Sequence, residues 1–178
     1  MAATDSSRQH PNPGRGLRAV VMGVAGCGKS AVGRRLAEAL RLPLVEGDAF
    51  HAPSSLDKMR RGVPLDDADR AGWLAALAAE LANRPEGVVL TCSALKARYR
   101  EQLRAAAPGL RFVQLALTPA QARERVAART GHFYPAGLVA SQFEALEDPA
   151  GEPGVRVVDA AQPLDAVVQQ ALEGLRRG

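Results

Sequence analysis

The sequence predicts an α/β protein built on a parallel sheet with helices on both faces. Three observations carry this. From Leu17 onward, short apolar runs alternate with amphipathic helical stretches, the pattern that right-handed strand–helix–strand crossovers require. A glycine-rich stretch, Gly23–Ser30, joins the first run to the first helix. The 178 residues are 47% hydrophobic and 24% charged, enough for one buried core and too apolar for wholesale disorder.

The elements follow in order. Leu17–Met22 is a short β-rich run, and Ala31–Arg41 places Val32, Leu36, Ala39 and Leu40 on one helical face. Leu42–Glu46 is a second strand closed by Gly47-Asp48, and Ser54–Arg61 a short helix ended by Gly62 with Pro64 beyond. Asp67–Asn83 is a longer helix with a Trp73, Leu74, Leu77, Leu81 stripe; Asp66, Asp67 and Asp69 sit at its start, where the helix dipole favours negative charge. Val88–Cys92 is a third strand, Ala94–Ala106 a helix, and Leu110–Leu117 a fourth strand. Pro119–Arg129 is a helix with proline near its first position. Thr130–Pro135 breaks the pattern and Ala136–Leu146 resumes it. Val155–Val158 is a fifth strand, and Leu164–Arg176 the last helix, burying Leu164, Val167, Val168, Ala171, Leu172 and Leu175.

The first 16 residues are polar and rich in proline and glycine, without the apolar core of a signal peptide. They read as a flexible tail (1–16) before a single domain (17–178). No apolar run approaches the roughly 20 residues of a membrane helix. Lys plus Arg is 23 and Asp plus Glu 19, a formal charge of +4. That excess suits an anionic ligand and is too small to argue for nucleic acid. Two cysteines, Cys27 and Cys92, make no disulfide framework, so free thiols in a cytoplasmic setting are expected.

The chemistry concentrates in Gly23-Val24-Ala25-Gly26-Cys27-Gly28-Lys29-Ser30, which matches G-x-x-x-x-G-K-[ST] between a strand and a helix. Glycines let phosphate oxygens approach the backbone, and successive N–H groups form an anion nest at a helix N-terminus. Lys29 can reach the β- and γ-phosphates, and the Ser30 hydroxyl can ligate Mg²⁺. Cys27 reads as a small side chain at a variable position, with a redox-sensitive thiol as the other reading. The chain has no Asn-Lys-x-Asp guanine-reading signature, which disfavours a GTPase. A compact small-molecule kinase is the class these residues favour.

Asp48 lies just past the second strand, where ligands of open α/β sheets sit. It can accept a substrate hydroxyl's proton; position alone leaves an ordinary turn aspartate equally open. His51, Lys58 and Arg70 follow as candidates for the acceptor's anionic group, with a solvated helix face the other reading for Lys58 and Arg70. Ser93 and Lys96 stand at the end of the third strand. Arg125 and Arg129 share one helical face and lead into Thr130–Pro135, a mobile flap in this reading. A basic surface helix is the alternative for these arginines. Val157-Val158-Asp159 mimics a Mg²⁺-holding strand but comes late in the chain and reads as a decoy.

Taken together, these stretches resemble the bacterial-type gluconate kinase (gluconokinase) family, in the nucleoside-monophosphate-kinase-like branch of P-loop proteins. The resemblance rests on Met22–Ser30, Gly47-Asp48 with His51, Lys58-Met59 with Gly62, Pro64-Leu65, Asp66–Arg70 with Trp73, Cys92–Lys96 (CSALK), Tyr99-Arg100, Gly131-His132-Phe133, Gln142-Phe143-Glu144, Val157–Asp159 and Gln162–Leu164. It implies a three-layer P-loop NTPase fold with a five-stranded parallel sheet. It also implies a helical substrate-binding region near 49–83 and a lid near 125–140. The implied reaction is ATP-dependent phosphorylation of D-gluconate on its 6-hydroxyl, with Mg²⁺, by a cytoplasmic homodimer that has no nucleic-acid or membrane partner. Carried over, Gly23 to Ser30 hold the phosphates and Mg²⁺, and Asp48 acts at the hydroxyl. Arg70, Lys96 and His132 contact gluconate; Arg125 and Arg129 contact phosphate.

The chain departs from the family pattern at Cys27, where a small serine is usual, and at Ala68, which interrupts an acidic triplet. The rival enzyme is a shikimate-kinase-like protein or another small-molecule kinase. Shikimate kinase would want a glycine triplet where this chain has Thr91-Cys92-Ser93. The rival from another class is a nonenzymatic nucleotide-binding module.

Overall fold

Five parallel strands form one sheet in the computed structural model, which describes residues 12–129 and 134–177. They are β1 (Arg18–Met22), β2 (Leu44–Glu46), β3 (Val88–Thr91), β4 (Arg111–Ala116) and β5 (Val155–Asp159), in the spatial order β2-β3-β1-β4-β5. The helices are α1 (Lys29–Leu40), α2 (Pro53–Arg60), α3 (Asp67–Ala82), α4 (Ala97–Ala106), α5 (Pro119–Ala128), α6 (Gly137–Ala145) and α7 (Leu164–Arg176). A short 3₁₀ turn, Gly47–Phe50, which periodicity did not foresee, follows β2.

Both sheet faces are covered, so the inner strands are mostly apolar rather than alternating, with Thr91 and Gln114 as their buried polar residues. Along β1, Ala19 and Val21 pack with α1 and α7, whereas Val20 and Met22 pack with α3 and α4. The α3 stripe of Trp73, Leu74, Leu77 and Leu81 is buried as expected. On α1 the buried set is Val32, Gly33, Leu36, Ala37 and Leu40, and Ala39 is exposed. Alanines on several faces leave the stripe free to rotate by one position, and Gly33 settles it, because a Cβ there would lie 2.8 Å from the Thr91 methyl. Leu164, the first residue of α7, is 41% exposed rather than buried.

Two boundaries differ instructively. Helix α4 begins at Ala97, not Ala94; Ala94 sits at φ +43 in the left-handed region, so Cys92–Lys96 is a shaped loop. The turn before β1 is part of the packed body. Asn12 Nδ2 donates to the Arg41 carbonyl at 3.1 Å, Gly16 N donates to the Glu86 carbonyl at 2.7 Å, and Gly14 is buried. The expected tail therefore gives way to packed chain by Asn12, and residues 1–11 lie outside the described ones.

Candidate active site

Parallel strands bring all their carboxyl ends to one edge of the sheet, and the residues that follow β1, β2 and β3 meet there. A cleft of about 320 Å³ opens between them, the size of a small-ligand site. Ala25, Gly26, Gly28, Lys29, Ser30, Asp48, His51, Arg70, Ser93 and Arg129, all singled out from sequence, line it.

The loop after β1 has Gly23 at φ +145, Gly26 at φ +81 and Gly28 at φ +94. Only glycine takes such angles without strain, and Gly28 caps α1 from there. Val24 and Cys27 are each 2% exposed; they anchor the loop from the core side, as a packing role for Cys27 requires. Lys29 Nζ crosses its own loop and donates to the carbonyls of Gly23 (3.0 Å) and Val24 (3.1 Å). Its flexible stem lets the ammonium exchange those acceptors for phosphate oxygens. The Ala25 amide donates to Gln142 Oε1 at 2.6 Å, and Gln142 Nε2 donates to the Tyr134 hydroxyl at 2.7 Å. Burial pushes the Tyr134 phenol up to about 12, so it stays a neutral partner.

The turn after β2 carries Asp48 and His51. Gly47 is obligatory there, since a Cβ would overlap the Thr91 carbonyl oxygen. Trp73 Nε1 donates to the Gly47 carbonyl at 2.7 Å, and the indole stacks on His51 with centroids 4.5 Å apart and planes 13° apart. One tryptophan thus braces the turn and the imidazole. His51 is 8% exposed on its side chain and Asp48 82%, with Nε2 and Oδ1 3.8 Å apart. Burial drives the His51 pKa below its ordinary value; Asp48 opposes this and Arg70 adds to it. His51 Nδ1 is buried without a hydrogen-bond partner among the described residues. Arg70 is held at the cleft by a bond from Nη1 to the Leu65 carbonyl, 2.6 Å.

Three expected contacts lie elsewhere. Lys58 gives its ammonium to both oxygens of Asp69, at 2.7 and 2.8 Å, and that hydrogen bond raises the lysine pKa and lowers that of Asp69. Lys96 pairs with Asp67 at 3.1 Å. Asp67 also takes Tyr99 and Arg98, and these bonds, led by that from Tyr99, hold its carboxyl far below the usual range. Arg125 Nη2 donates to the Ala160 carbonyl at 2.6 Å. None of the three lines the cleft, because each cation is nearer a built-in acceptor. His132 lies outside the described residues, as does the centre of the expected lid, residues 130–133.

Sequence reasoning gave no role to Glu46, whose Oε2 accepts from Ser30 Oγ (3.0 Å) and Thr91 Oγ1 (2.6 Å). It also missed Tyr134 and Arg60 on the cleft wall. Glu46 directly precedes Gly47-Asp48, but only strand register brings it beside Thr91. The Ser30 hydroxyl and nearby carboxylate are hard oxygen donors. Among the described residues no group of three or more His, Cys, Asp or Glu is set to hold a metal. A sparse oxygen set of this kind fits Mg²⁺, which keeps waters and takes phosphate oxygens rather than a full protein cage.

A P-loop and a cluster of polar side chains sharing one cleft at the carboxyl edge of a five-stranded parallel sheet fit a P-loop kinase. A family model described as "AAA domain" matches residues 19–153. The thermoresistant gluconokinase of Escherichia coli (strain K12) is 42% identical over 163 residues, covering 89% of this chain and 93% of that protein. The gluconokinase of Gluconobacter oxydans (strain 621H) is 44% identical over 157 residues, covering 86% and 88%. The crystal structure of a gluconokinase from Sinorhizobium meliloti 1021 superposes with a TM-score of 0.85 at 51% identity, covering 94% of each chain. The chain belongs to the gluconokinase family. A shikimate kinase from Bacteroides thetaiotaomicron, 19% identical with a TM-score of 0.63 and covering 88% of this chain and 97% of that one, shares the fold alone.

Proposed function

We propose that the chain transfers the terminal phosphoryl group of ATP to the 6-hydroxyl of D-gluconate, giving 6-phospho-D-gluconate and ADP. The observation that carries this reading is the single cleft that puts Lys29 and Ser30 of the phosphate loop opposite Asp48, His51 and Arg70. Asp48, exposed at the cleft, takes the proton of the attacking hydroxyl. The loop amides and Lys29 hold the nucleotide's phosphates and neutralise charge that develops during transfer. Arg129, on the same wall, stabilises the transferred group. Arg125 joins it only by leaving the Ala160 carbonyl; as placed, it braces α5. Arg70 offers its planar guanidinium to the sugar acid's carboxylate, and His51 and Ser93 offer hydrogen bonds to its hydroxyls. Lys58 and Lys96 support this region through their aspartate partners. Ser30 would hold Mg²⁺, which when bound shields the phosphate oxygens.

The same reading places a homodimer in the cytoplasm, without a nucleic-acid or membrane partner. No described helix is long and apolar enough to cross a membrane. The test is a substrate panel with coupled ADP detection: gluconate is expected to release one ADP per acceptor, and ADP release with shikimate or a nucleoside monophosphate instead would overturn the assignment. Light scattering at several protein concentrations tests the dimer.

A further inference from the structure

The third strand ends at Thr91 and runs on into Cys92-Ser93, with no acid where P-loop NTPases pair a strand-end aspartate with the loop's hydroxyl at the metal. Asp159 does not supply one. It ends the outer strand β5 and spends Oδ1 on the Ala161 amide, at 2.9 Å. A carboxylate arrives instead from the neighbouring strand. Glu46 ends β2 in register with Thr91. Its Oε2 receives the Ser30 hydroxyl at 3.0 Å and the Thr91 hydroxyl at 2.6 Å, and Thr91 Oγ1 accepts the Gly47 amide at 3.2 Å. The Gly47 amide thus orients Thr91, Thr91 holds the carboxylate, and the carboxylate holds Ser30.

This chain of donors determines which way the Ser30 proton points. A hydroxyl that donates its proton to a carboxylate keeps both lone pairs for a cation. We propose that Glu46 is a metal-site residue. It fixes Ser30 as a proton donor, so that the serine oxygen faces a divalent cation, and it brings the negative charge that β3 lacks. Its Oε1, which accepts no hydrogen bond among the described residues, is left for a cation-bound water. The inference rests on the kinase reading above and assigns the acid of its metal site to β2.

The test measures ADP binding by calorimetry with and without Mg²⁺, and Mn²⁺ binding to the protein–ADP complex by electron paramagnetic resonance. In Glu46→Gln, Mg²⁺-free ADP affinity is expected to stay within about twofold of wild type, while Mn²⁺ affinity falls about tenfold or more, the usual cost of losing an outer-shell metal partner. Glu46→Asp, which withdraws the carboxylate by one methylene, should fall between, with a cooperative melt like that of the wild type. Unchanged Mn²⁺ affinity in folded Glu46→Gln or Glu46→Asp would overturn the proposal. So would equal losses of ADP affinity with and without metal, which mark a merely structural role. Wild-type protein that binds no nucleotide would instead overturn the kinase reading itself.

Discussion

The proposed reaction gives Lys29, Asp48 and His51 separate jobs, and substitution separates them. Lys29 already crosses the phosphate loop, so Lys29→Ala should keep its fold by circular dichroism and lose about a hundredfold or more in kcat, as removal of a charge-stabilising donor does. The Asp48 side chain is 82% exposed and makes no hydrogen bond among the described residues. Asp48→Asn is therefore expected to melt like wild type, to keep its KM for ATP, and to lose about a hundredfold or more in kcat; steady-state kinetics against both substrates check this. His51 links the site to pH. Burial holds its folded pKa below the ordinary 6.5, so under acid the unfolded chain takes a proton that the folded imidazole refuses. The unfolded state then binds more protons, and stability rises with pH. The contribution is whole above 6.5 and is lost as pH falls below that value towards the folded pKa. Thermal melts of His51→Gln should lose less stability than wild type between about pH 7 and about pH 5.5. Equal slopes would show that His51 does not titrate in this way.

At the scale of elements, the start of α3 is legible in the sequence and the loop before α4 is not. Helix α3 starts with a reciprocal capping box in which the Asp69 amide donates to Asp66 Oδ1 at 2.8 Å and the Asp66 amide to Asp69 Oδ2 at 3.0 Å. The acid cluster in the sequence announces that start, although its reading as a dipole effect missed the cap. Asp66→Ala should cost about 1 kcal/mol in urea unfolding. The start of α4 is hidden from the sequence because part of its determinant lies about fifty residues away, in Glu147 and Glu152. Arg100, wholly buried, donates to the carbonyls of Ala94 (2.8 Å) and Leu95 (3.0 Å) and forms an ion pair with Glu152 at 2.5 Å. These bonds hold Ala94 out of the helix, and those from Arg100 lead in keeping the Glu152 carboxyl below its usual pKa. The same loop carries Ser93 to the cleft. Arg100→Ala leaves two buried carbonyls without their donor and Glu152 with Arg104 as its remaining partner, so denaturant unfolding should show a loss of about 3 kcal/mol.

At the scale of the molecule, one tryptophan ties the core to the cleft. Trp73 is 3% exposed, rests in the core, bonds the Gly47 carbonyl and stacks on His51. It is the chain's single tryptophan, so its emission reports on the acceptor side alone. Saturating D-gluconate should change its fluorescence in wild type and less so in His51→Gln, measured by titration; no change in wild type would detach the stack from substrate binding.

What the sequence determined by itself is what neighbouring residues settle among themselves. The strand–loop–helix motif with its positive-φ glycines, the order of strands and helices, the α3 stripe and the proline-led start of α5 all depend on spacing within a few positions. Tertiary structure alone decided the spatial order of the strands in the sheet, the register that seats Glu46 beside Thr91, and which cations face the cleft. Lys58 and Lys96 look as free in sequence as Arg70 does. An ion pair or a strand register joins residues far apart in the chain, and its partners are chosen only when the sheet closes and charges compete for the nearest acceptor.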